Sequence, residues 1–573
     1  MWDIVRSSFG GEIIHFLSGG RLFQYPDQKP GFVIPKKFGA STSAEDIFKL
    51  TEFVSGGHNV HHGQEDIPDA DLENNKLASK MELDDGSTAE TAADEKTLSP
   101  EYIVDWYGPD DPENPHNWSL KKKLFVIFEI SWLTVAVYAG SAMYTPGAPE
   151  IARDLHVSEV AALLPLSGYV MAYGIGPMIL APMSEMPMVG RNWVYMPFLF
   201  LFVILQIPTA LVSNFGGFLI LRIITGFVSS SPLSNGGASI GDVVHFSALP
   251  YALGGWSVAA VAGPVLGPLL GSVFAQIKNW RWTFWFLCWL SGSTFVLLLF
   301  FFPETAHATI LERRARRFRK MTGNNKYTTK AMLEFENFTA TEFAYESLVR
   351  PFLITFTEFG VLFLNVYTAL IYAVMYSWFE AFPIVFLELY HFNLIEMGVS
   401  YVGLLIGVCI ACCIFCTVWK FKVAPALSRG VDPEKIFYVA LCAAPILPAG
   451  LMLFGWSATA SIHWVVPIIG SGVFLVGGFH IFQCVFNYLG MSYPRYLASV
   501  FAGNDMLRSV FAASFPLFAR AMFVNLDGPG HNKKFPVAFG ATLLAGISAC
   551  MIVIPVFILL LGRRLRATSK YAN

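Results

Sequence analysis

The chain has 573 residues, of which 54% are hydrophobic, only 14% are charged, and the net charge at pH 7 is −3. A soluble domain carries about 25% charged residues, so this composition lacks the charge to coat a water-facing surface. It excludes a water-soluble enzyme and a disordered protein, and the absence of a basic excess argues against a nucleic-acid partner. We therefore predict an integral membrane protein.

Residues 1–120 differ from the rest of the chain. Residues 1–38 mix apolar and basic side chains without the continuous apolar core of a signal peptide. Residues 65–113 contain sixteen acidic residues against three lysines, with few large apolar side chains. Such a segment cannot bury enough surface to offset its ordering entropy, so we predict a largely disordered cytosolic tail over 1–120.

Apolar runs of about twenty residues follow, each long enough to cross ~30 Å of hydrocarbon at 1.5 Å per residue. They predict twelve membrane helices, near 124–145, 159–181, 193–212, 216–237, 248–273, 283–302, 355–386, 395–418, 434–456, 463–488, 496–521 and 536–561. A polar central loop, 303–352, separates six helices from six. We therefore predict an all-α membrane protein with two pseudo-symmetric six-helix bundles, 121–302 and 353–561, and a cytosolic tail, 562–573.

Lysine and arginine set the predicted orientation. If the amino terminus is cytosolic, the cytosolic segments after residue 120 carry 22 of these residues and the outer loops carry five. The positive-inside rule therefore places both termini in the cytosol. The basic run at 313–320 in the central loop is interpreted as the solvated, lipid-contacting end of a loop helix.

The predicted fifth helix carries a regular stripe of small residues. Positions four apart lie on one helix face, where another backbone can approach closely, and prolines among them favour a bend. We interpret this face as close helix packing and as a pivot in a moving bundle. The stripe and its prolines comprise Gly255, Ala259, Gly263, Pro264, Gly267, Pro268 and Gly271.

Charged residues inside the predicted helices indicate a functional role, because inserting each one at mid-membrane costs roughly 2.5–3.5 kcal/mol on insertion scales. Arg222 lies in the fourth helix, Glu129 in the first and Glu380 in the outer part of the seventh. Asp505 and Arg508 share a face of the eleventh helix at i, i+3 spacing. These five are predicted to couple protons, with a neutralised structural pair as the alternative for Asp505 and Arg508. The alternative for Glu129 is a side chain that extends to the cytosolic interface, and the alternative for Glu380 is a gate near the outer interface.

Polar and aromatic side chains in the second half predict a binding surface for amphipathic small molecules. Uncharged hydrogen-bonding groups in an apolar wall suit ligands of varied shape, although interhelical packing explains them equally well. The predicted surface consists of Tyr372, Tyr376, Phe379, His480, Gln483, Asn487, Asn504, Phe511 and Phe515.

Several chemistries are not expected. The chain has neither a G-x-x-x-x-G-K-[ST] phosphate-binding loop nor an H-E-x-x-H motif, so uphill transport would need an ion gradient. The cysteines at 409, 412, 413 and 416 imitate a zinc spacing but lie in an apolar helix, where thiols are packing residues. We predict no enzyme activity, no cofactor and no metal site.

Three segments carry a resemblance to a known family. Residues 263–268, GPVLGP, resemble the fifth-helix antiporter signature of drug:proton antiporters of the major facilitator superfamily. Residues 221–226, LRIITG, resemble the superfamily's fourth-helix motif with its membrane-embedded arginine. The loop after the second helix resembles the superfamily's gating signature, here with Glu185 in place of aspartate, two extra residues, and then Gly190 and Arg191.

Further segments are similar to the fungal multidrug-resistance exporters of the plasma membrane within this superfamily. They are DPENP at 111–115, YTPG at 144–147, WRWTFW at 280–285, FEAFP at 379–383 and ASVFA at 498–502. The resemblance covers residues 105–573. It implies the superfamily's twelve-helix fold and proton-coupled export of drugs across the plasma membrane.

We therefore expect a monomeric antiporter whose partners are amphipathic small molecules, protons and the lipid bilayer. One alternative keeps the fold but moves a single physiological solute, such as a polyamine, an organic acid or a siderophore. A second alternative is a non-transporting membrane receptor with a signalling tail, which deletion of residues 1–100 with retained efflux would dismiss.

Overall fold

A computed structural model describes residues 2–29, 31–35, 38, 102–336, 339–430, 432–526 and 534–572. Twelve helical segments within these residues are long and apolar enough to cross a bilayer, with mean hydropathy from 1.3 to 2.8 over their most apolar windows. The prediction of twelve membrane helices is confirmed. We number them α1–α12: Leu120–Asp154, Glu159–Glu185, Asn192–Leu211, Phe215–Val243, Leu249–Ile277, Arg281–Phe301, Phe359–Leu389, Leu394–Leu427, Pro433–Ser457, Val465–Ser492, Leu497–Asn525 and Ala538–Thr568.

Several of the twelve segments are interrupted by short turns, among them α1 and α4. α1 is regular over Leu120–Ala142 and continues through a tight turn with Pro146 to Asp154. α4 is regular over Phe215–Val228 and resumes as Ser231–Val243, with a proline in the first turn of the second part, where the missing N–H is tolerated. α4 therefore extends beyond its predicted end at 237.

The small-residue stripe of α5 packs against α1 inside the first half. A Cβ atom on Gly267 would lie 2.8 Å from the Ala139 carbonyl oxygen, and Gly263 and Gly271 face the same helix at comparably close range. Gly255 is outside this contact, because a Cβ there would meet no atom within 4 Å, and Ala259 is half-buried. The stripe therefore joins α5 to α1 over three glycines rather than over its full predicted length.

α5 runs without a break through its two prolines. Pro264 and Pro268 are buried, and the helix is regular from Leu249 to Ile277. Each proline removes one backbone donor, so this helix has fewer internal hydrogen bonds than its length implies.

The two halves touch on both sides of the membrane midplane. On the side that carries both chain ends, called the terminal side below, Met178 of α2 packs against Ala502 and Met506 of α11. On the opposite side, the Gln276 side-chain oxygen of α5 accepts a hydrogen bond from the Ile395 backbone of α8 at 2.9 Å. The halves are therefore in contact towards both sides, and the arrangement is closed at these two points.

The terminal side carries ordered segments outside the membrane helices. Helices Trp2–Ser7 and Phe9–Leu17 precede the membrane part, and a central-loop helix, His307–Thr322, follows α6. The expected disordered tail, 1–120, therefore differs from the structure at 2–29 and 102–119, because these residues find partners in the central loop. Residues 39–101, with most of the acidic stretch, lie outside the described residues.

Arg314 of the central-loop helix is fully buried, in contrast to the interpretation of 313–320 as a solvated helix end. Its guanidinium forms ion pairs with Asp111 and Glu113, each at 2.8 Å. Arg317 pairs with Asp27 at 2.6 Å and with Glu113 at 3.1 Å. Burial alone would raise the pKa of Glu113, but the two guanidinium groups outweigh it and lower that pKa to about 2.

Candidate functional site

Arg222 of α4 lies fully buried in a cage of aromatic rings. Its Nη2 donates a hydrogen bond to the Ser141 carbonyl oxygen of α1 at 2.8 Å. Its guanidinium carbon lies 4.3 Å from the ring centre of Tyr169 and 5.1 Å from that of Tyr144. Nε and Nη1 have no hydrogen-bond partner. The buried charge is therefore balanced by aromatic faces and a carbonyl group, without a carboxylate hydrogen bond.

Asp505 and Arg508 of α11 form an ion pair on one helix face, at the i, i+3 spacing read from the sequence. Both side chains are largely buried, with 6% and 11% of their surface exposed. The Arg508 guanidinium carbon lies 4.9 Å from the ring centre of Tyr372 and 5.6 Å from that of Phe482. A Cβ atom on Gly174 of α2 would collide with Ser509, so the pair lies where the two halves approach each other closely.

A narrow crevice between the halves connects these two charged sites. It is lined by Tyr138, Ser141, Tyr169, Tyr173, Tyr372 and Tyr376. The Ser141 and Tyr376 hydroxyl oxygens lie 3.4 Å apart across the interface. The buried hydroxyl groups of Tyr138 and Tyr173 lie near each other, and neither makes a hydrogen bond of ordinary geometry. Because unpaired buried hydroxyls cost free energy, a ligand that pairs with them would relieve that cost.

The three predicted polar residues of α10 do not share one open space. Gln483 donates a hydrogen bond to the Ser257 hydroxyl of α5 at 2.7 Å, which ties the two halves together. The Asn487 amide donates to the Gln483 carbonyl oxygen at 2.7 Å. His480 is buried, with Nδ1 2.7 Å from the Val476 carbonyl oxygen and Nε2 without a partner.

Three other predicted binding residues, Asn504, Phe511 and Phe515, contact protein side chains inside the second half. The Asn504 amide donates to the Asn365 side-chain oxygen at 2.9 Å and to the Thr368 hydroxyl at 2.8 Å, so it fastens α11 to α7 inside the second half. Phe511 and Phe515 are half-buried, with ring centres 6.4 Å apart.

The aromatic stripe of α7 lies in the interface region as its spacing indicates. The ring centres of Tyr372 and Tyr376 are 5.1 Å apart, and those of Tyr376 and Phe379 are also 5.1 Å apart. Tyr372 and Tyr376 line the crevice, and Phe379 continues the stripe towards Glu380.

Glu129 and Glu380 lie apart from the crevice lining. Glu129 of α1 is fully buried, and neither of its carboxylate oxygens has a hydrogen-bond partner. Glu380 of α7 is half-buried in a group of charges with Arg520, Glu159 and Glu388, in which Arg520 pairs with Glu388 at 2.7 Å.

The loop after α2, predicted to act in gating, is held in place by the carboxylates of Asp242 and Glu304. The sequence did not indicate either contact. Arg191 pairs with Asp242 at the end of α4 at 3.1 Å, and its backbone N–H donates to Glu304 at 3.0 Å. Glu185 lies 3.9 Å from Arg191 and is a weaker partner. Gly190 has φ +76°, and a Cβ there would lie 2.7 Å from the Glu304 carboxylate, so only glycine fits.

Five residues were missed: Tyr138, Tyr169 and Tyr173 of the crevice, and Asp242 and Glu304 at the loop after α2. The tyrosines carried a usable signal, because an i, i+4 pair of tyrosines in α2 is a polar stripe on one helix face. Asp242 carried none, because it lay beyond the predicted end of its helix. Glu304 carried none either, because it lies in the predicted central loop and its partner is distant in the chain.

The cysteine run of α8 consists of free thiols, of which Cys409 and Cys413 are exposed and Cys412 and Cys416 half-buried. Across the part of the chain that the structure describes, no group of three His, Cys, Asp or Glu side chains is arranged to hold a metal ion.

Twelve membrane helices in two halves, with buried charges and a polar crevice where the halves meet, define a membrane transporter of the alternating two-bundle type. A family profile described as Major Facilitator Superfamily matches residues 130–516. The chain belongs to the Major Facilitator Superfamily.

Known relatives support this assignment over the whole chain. The cycloheximide resistance protein of Candida maltosa is 41% identical over 100% of both chains. Fluconazole resistance protein 1 of Saccharomyces cerevisiae is 43% identical over 88% of this chain and 91% of its own. A multidrug transporter of Candida glabrata, FLR2, is 43% identical over 86% of this chain and 82% of its own.

Among solved structures, the proton:xylose symporter XylE aligns with a TM-score of 0.53 over 77% of this chain and 96% of that chain. The sequence identity is 15%, so this likeness concerns the fold alone.

Proposed function

We propose that this chain is a proton-coupled antiporter that exports structurally diverse amphipathic compounds across the plasma membrane. Relatives of 41–43% identity, named for resistance to cycloheximide and fluconazole and for multidrug transport, support export of drugs. The observation that carries the proposal is the tyrosine crevice between the halves, with Arg222 close to one part of it and Arg508 close to another.

The crevice supplies the binding surface. Tyrosine rings offer flat apolar area, and the free hydroxyls of Tyr138 and Tyr173 offer hydrogen bonds to ligands of varied shape. The crevice is narrow in this closed arrangement, so a substrate enters only when the halves separate on one side. Tyr372, Tyr376 and Phe379 then present their stripe to it.

Asp505 is the acid that we assign to proton coupling, with Arg508 as its partner. Protonation of Asp505 removes the attraction to Arg508 and leaves its guanidinium held by the contacts with Tyr372 and Phe482. Substrate and proton need not touch the same atoms. Each needs only a different affinity for the two arrangements of the halves, because both then shift the same equilibrium.

Glu129, Glu380 and Arg222 are assigned supporting roles in the same cycle. Glu129 is a second buried carboxylate with both oxygens free to accept a proton, and Glu380 belongs to a charged group at the side opposite the termini. Arg222 holds α4 to the Ser141 carbonyl of α1. We propose a monomer with both termini in the cytosol, which agrees with the distribution of lysine and arginine.

The test is efflux of several unrelated dyes from cells that express the chain, with and without a proton-gradient uncoupler. We expect efflux that the uncoupler abolishes, mutual competition among the dyes, and loss of pH dependence in Asp505→Asn. Asp432→Asn, which removes an exposed carboxylate just before α9, is the matched control and should retain it. A single transported solute, such as a polyamine, without competition would support the narrow-substrate alternative, and efflux indifferent to the uncoupler would refute proton coupling.

A further inference from the structure

The first ordered segment of the chain is anchored to the ends of α3 and α6 on the terminal side. The Glu304 backbone N–H donates to the Ser7 carbonyl oxygen at 3.1 Å, and Glu12 forms an ion pair with Arg313 of the central-loop helix. A Cβ atom on Gly10 would lie 2.7 Å from the Leu299 carbonyl oxygen of α6. Helix Phe9–Leu17 therefore lies directly across the last turn of α6.

The second half of this helix exposes apolar side chains that no described segment of the protein covers. Phe16 is 80% exposed, Leu17 is 77% exposed and Ile13 is 42% exposed. Their spacing of three and four residues places them on one helix face. Leu22, just after the helix, adds a further exposed apolar side chain. Leaving such a group in water costs free energy in proportion to its apolar area.

The apolar face continues the lipid-facing surface of the membrane helices. Phe9 packs edge-on against Trp193 at the start of α3, with ring centres 4.9 Å apart, and Trp193 is itself 50% exposed. Phe300 of α6, which contacts Gly10, is 37% exposed. Tryptophan at a helix end is typical of the membrane–water boundary, so helix Phe9–Leu17 lies at the level of the lipid headgroups.

We propose that helix Phe9–Leu17 is an interfacial amphipathic helix that inserts Ile13, Phe16 and Leu17 into the leaflet on the terminal side. Its partner is the bilayer, because the exposed face is apolar and adjoins side chains that already face lipid. Gly10 and Glu12 hold the first half of the helix to the protein. A helix lying in the plane of the interface in this way binds through its buried apolar area.

The test uses the full-length protein in vesicles of phosphatidylcholine and phosphatidylserine. Photoreactive p-benzoylphenylalanine replaces Phe16, or Gln24 as the matched control, which is exposed on the same segment but polar. After illumination, mass spectrometry should find phospholipid adducts at position 16 at least fivefold more abundant than at position 24. Equal adduct levels, or cross-links from position 16 to another protein or a second copy, would overturn the proposal.

Hydrogen exchange provides a second readout that does not depend on the photoreactive group. The Phe16→Ser/Leu17→Ser variant in the same vesicles should exchange amides of residues 9–17 at least tenfold faster than the unaltered chain, with α3 and α6 unchanged. A Gln24→Ser variant should exchange as the unaltered chain does. Unchanged exchange in the double variant would show that the apolar face contributes no binding.

Discussion

Individual side chains at the interface between the halves combine burial with incomplete hydrogen bonding. Arg222 has two guanidinium nitrogens without partners, and the buried hydroxyls of Tyr138 and Tyr173 make no hydrogen bond of ordinary geometry. Folding alone favours pairing of such groups, because each unpaired one costs about 1–3 kcal/mol. Their retention in one region is what a site built for ligands and protons requires.

The unpaired hydroxyl of Tyr173 leads to a substitution that separates stability from binding. Tyr173→Phe should change the free energy of unfolding by no more than about 1 kcal/mol, because no protein hydrogen bond is lost. It should weaken transport of compounds that accept hydrogen bonds, seen as a raised KM in efflux assays. Tyr169→Phe is the control, since the Tyr169 hydroxyl donates to the Val137 carbonyl at 3.1 Å and its removal should lower the thermal midpoint. Equal midpoints for the two variants would contradict this assignment.

Gly190 gives a second residue-level prediction. Gly190→Ala should destabilise the protein by about 1–3 kcal/mol from backbone strain, with a further cost from the clash with Glu304 and Thr309. Gly323→Ala is the matched control, because Gly323 has φ +68° but open space around it. Thermal unfolding in detergent measures both. A smaller shift for Gly190→Ala than for Gly323→Ala would be inconsistent with the clash.

Elements on the terminal side are joined by charge as well as by packing. The central-loop helix His307–Thr322 contributes Arg313, Arg314 and Arg317, and their carboxylate partners come from segments far away in the sequence. Because several pairs share one helix, removing a single partner leaves a buried charge behind.

Arg314→Ala should therefore be severely destabilising. Breaking a buried ion pair by removing one partner costs about 3–5 kcal/mol. Arg316 lies two residues after Arg314, and 47% of its side chain is exposed. Arg316→Ala should therefore change stability by less than about 1 kcal/mol. The thermal midpoints of the two purified variants measure this difference. Similar midpoints would show that the buried ion pairs contribute little to stability.

Three histidines join three elements of the terminal side and lead to a pH prediction. The His116 ring centre lies 5.0 Å from that of His245, after α4, and 4.7 Å from that of His307. Lys123 donates to the His116 carbonyl oxygen, and the His307 Nε2 lies 2.8 Å from the Asp242 carbonyl oxygen. Burial, and then repulsion from His307, His245 and Lys123, lower the pKa of His116.

A lowered pKa in the folded protein means that protonation favours separation of these elements. The stability that the cluster contributes is complete above the ordinary histidine pKa of about 6.5 and falls as the pH drops through it. Thermal midpoints measured from pH 8 to pH 5 should therefore fall less steeply in His116→Asn than in the unaltered protein. His463→Asn, in the loop before α10, should keep the original slope. A slope unaffected by His116→Asn would contradict the prediction.

At the scale of the whole molecule, the halves contact each other on both sides, and transport requires each contact to open in turn. Cysteines at Met178 and Met506, in a background without the eight native cysteines, should form a cross-link through a short bifunctional reagent. Efflux should stop when the link forms and return when a cleavable reagent is cut. The single-cysteine variants with the same reagent are the controls, and undiminished efflux after complete cross-linking would contradict separation at this contact.

The fold could be predicted from the sequence because a membrane helix is a local property: about twenty apolar residues specify it whatever they contact. The ion pair of Asp505 and Arg508 could be predicted for the same reason, since both residues lie on one helix. The contacts of Asp242, Glu304 and Arg314 were not, because each depends on the packing of segments that are distant in the chain. Asn504 illustrates the reverse case, since its polarity predicted a ligand and its neighbours in α7 supplied the partners instead.

The central loop is attached to the segment before α1, and this attachment determines where the chain could be cut into two polypeptides. The Thr328 backbone forms hydrogen bonds with the backbones of Tyr102 and Val104, in the segment before α1. Arg314 and Arg317, which precede Thr328 in the chain, form ion pairs with residues that also come before α1. The loop up to Thr328 therefore belongs with the first bundle. A break within helix Lys330–Glu336 would leave each fragment with most of its own contacts, and the two pieces, produced as separate polypeptides, should reassemble into one working transporter.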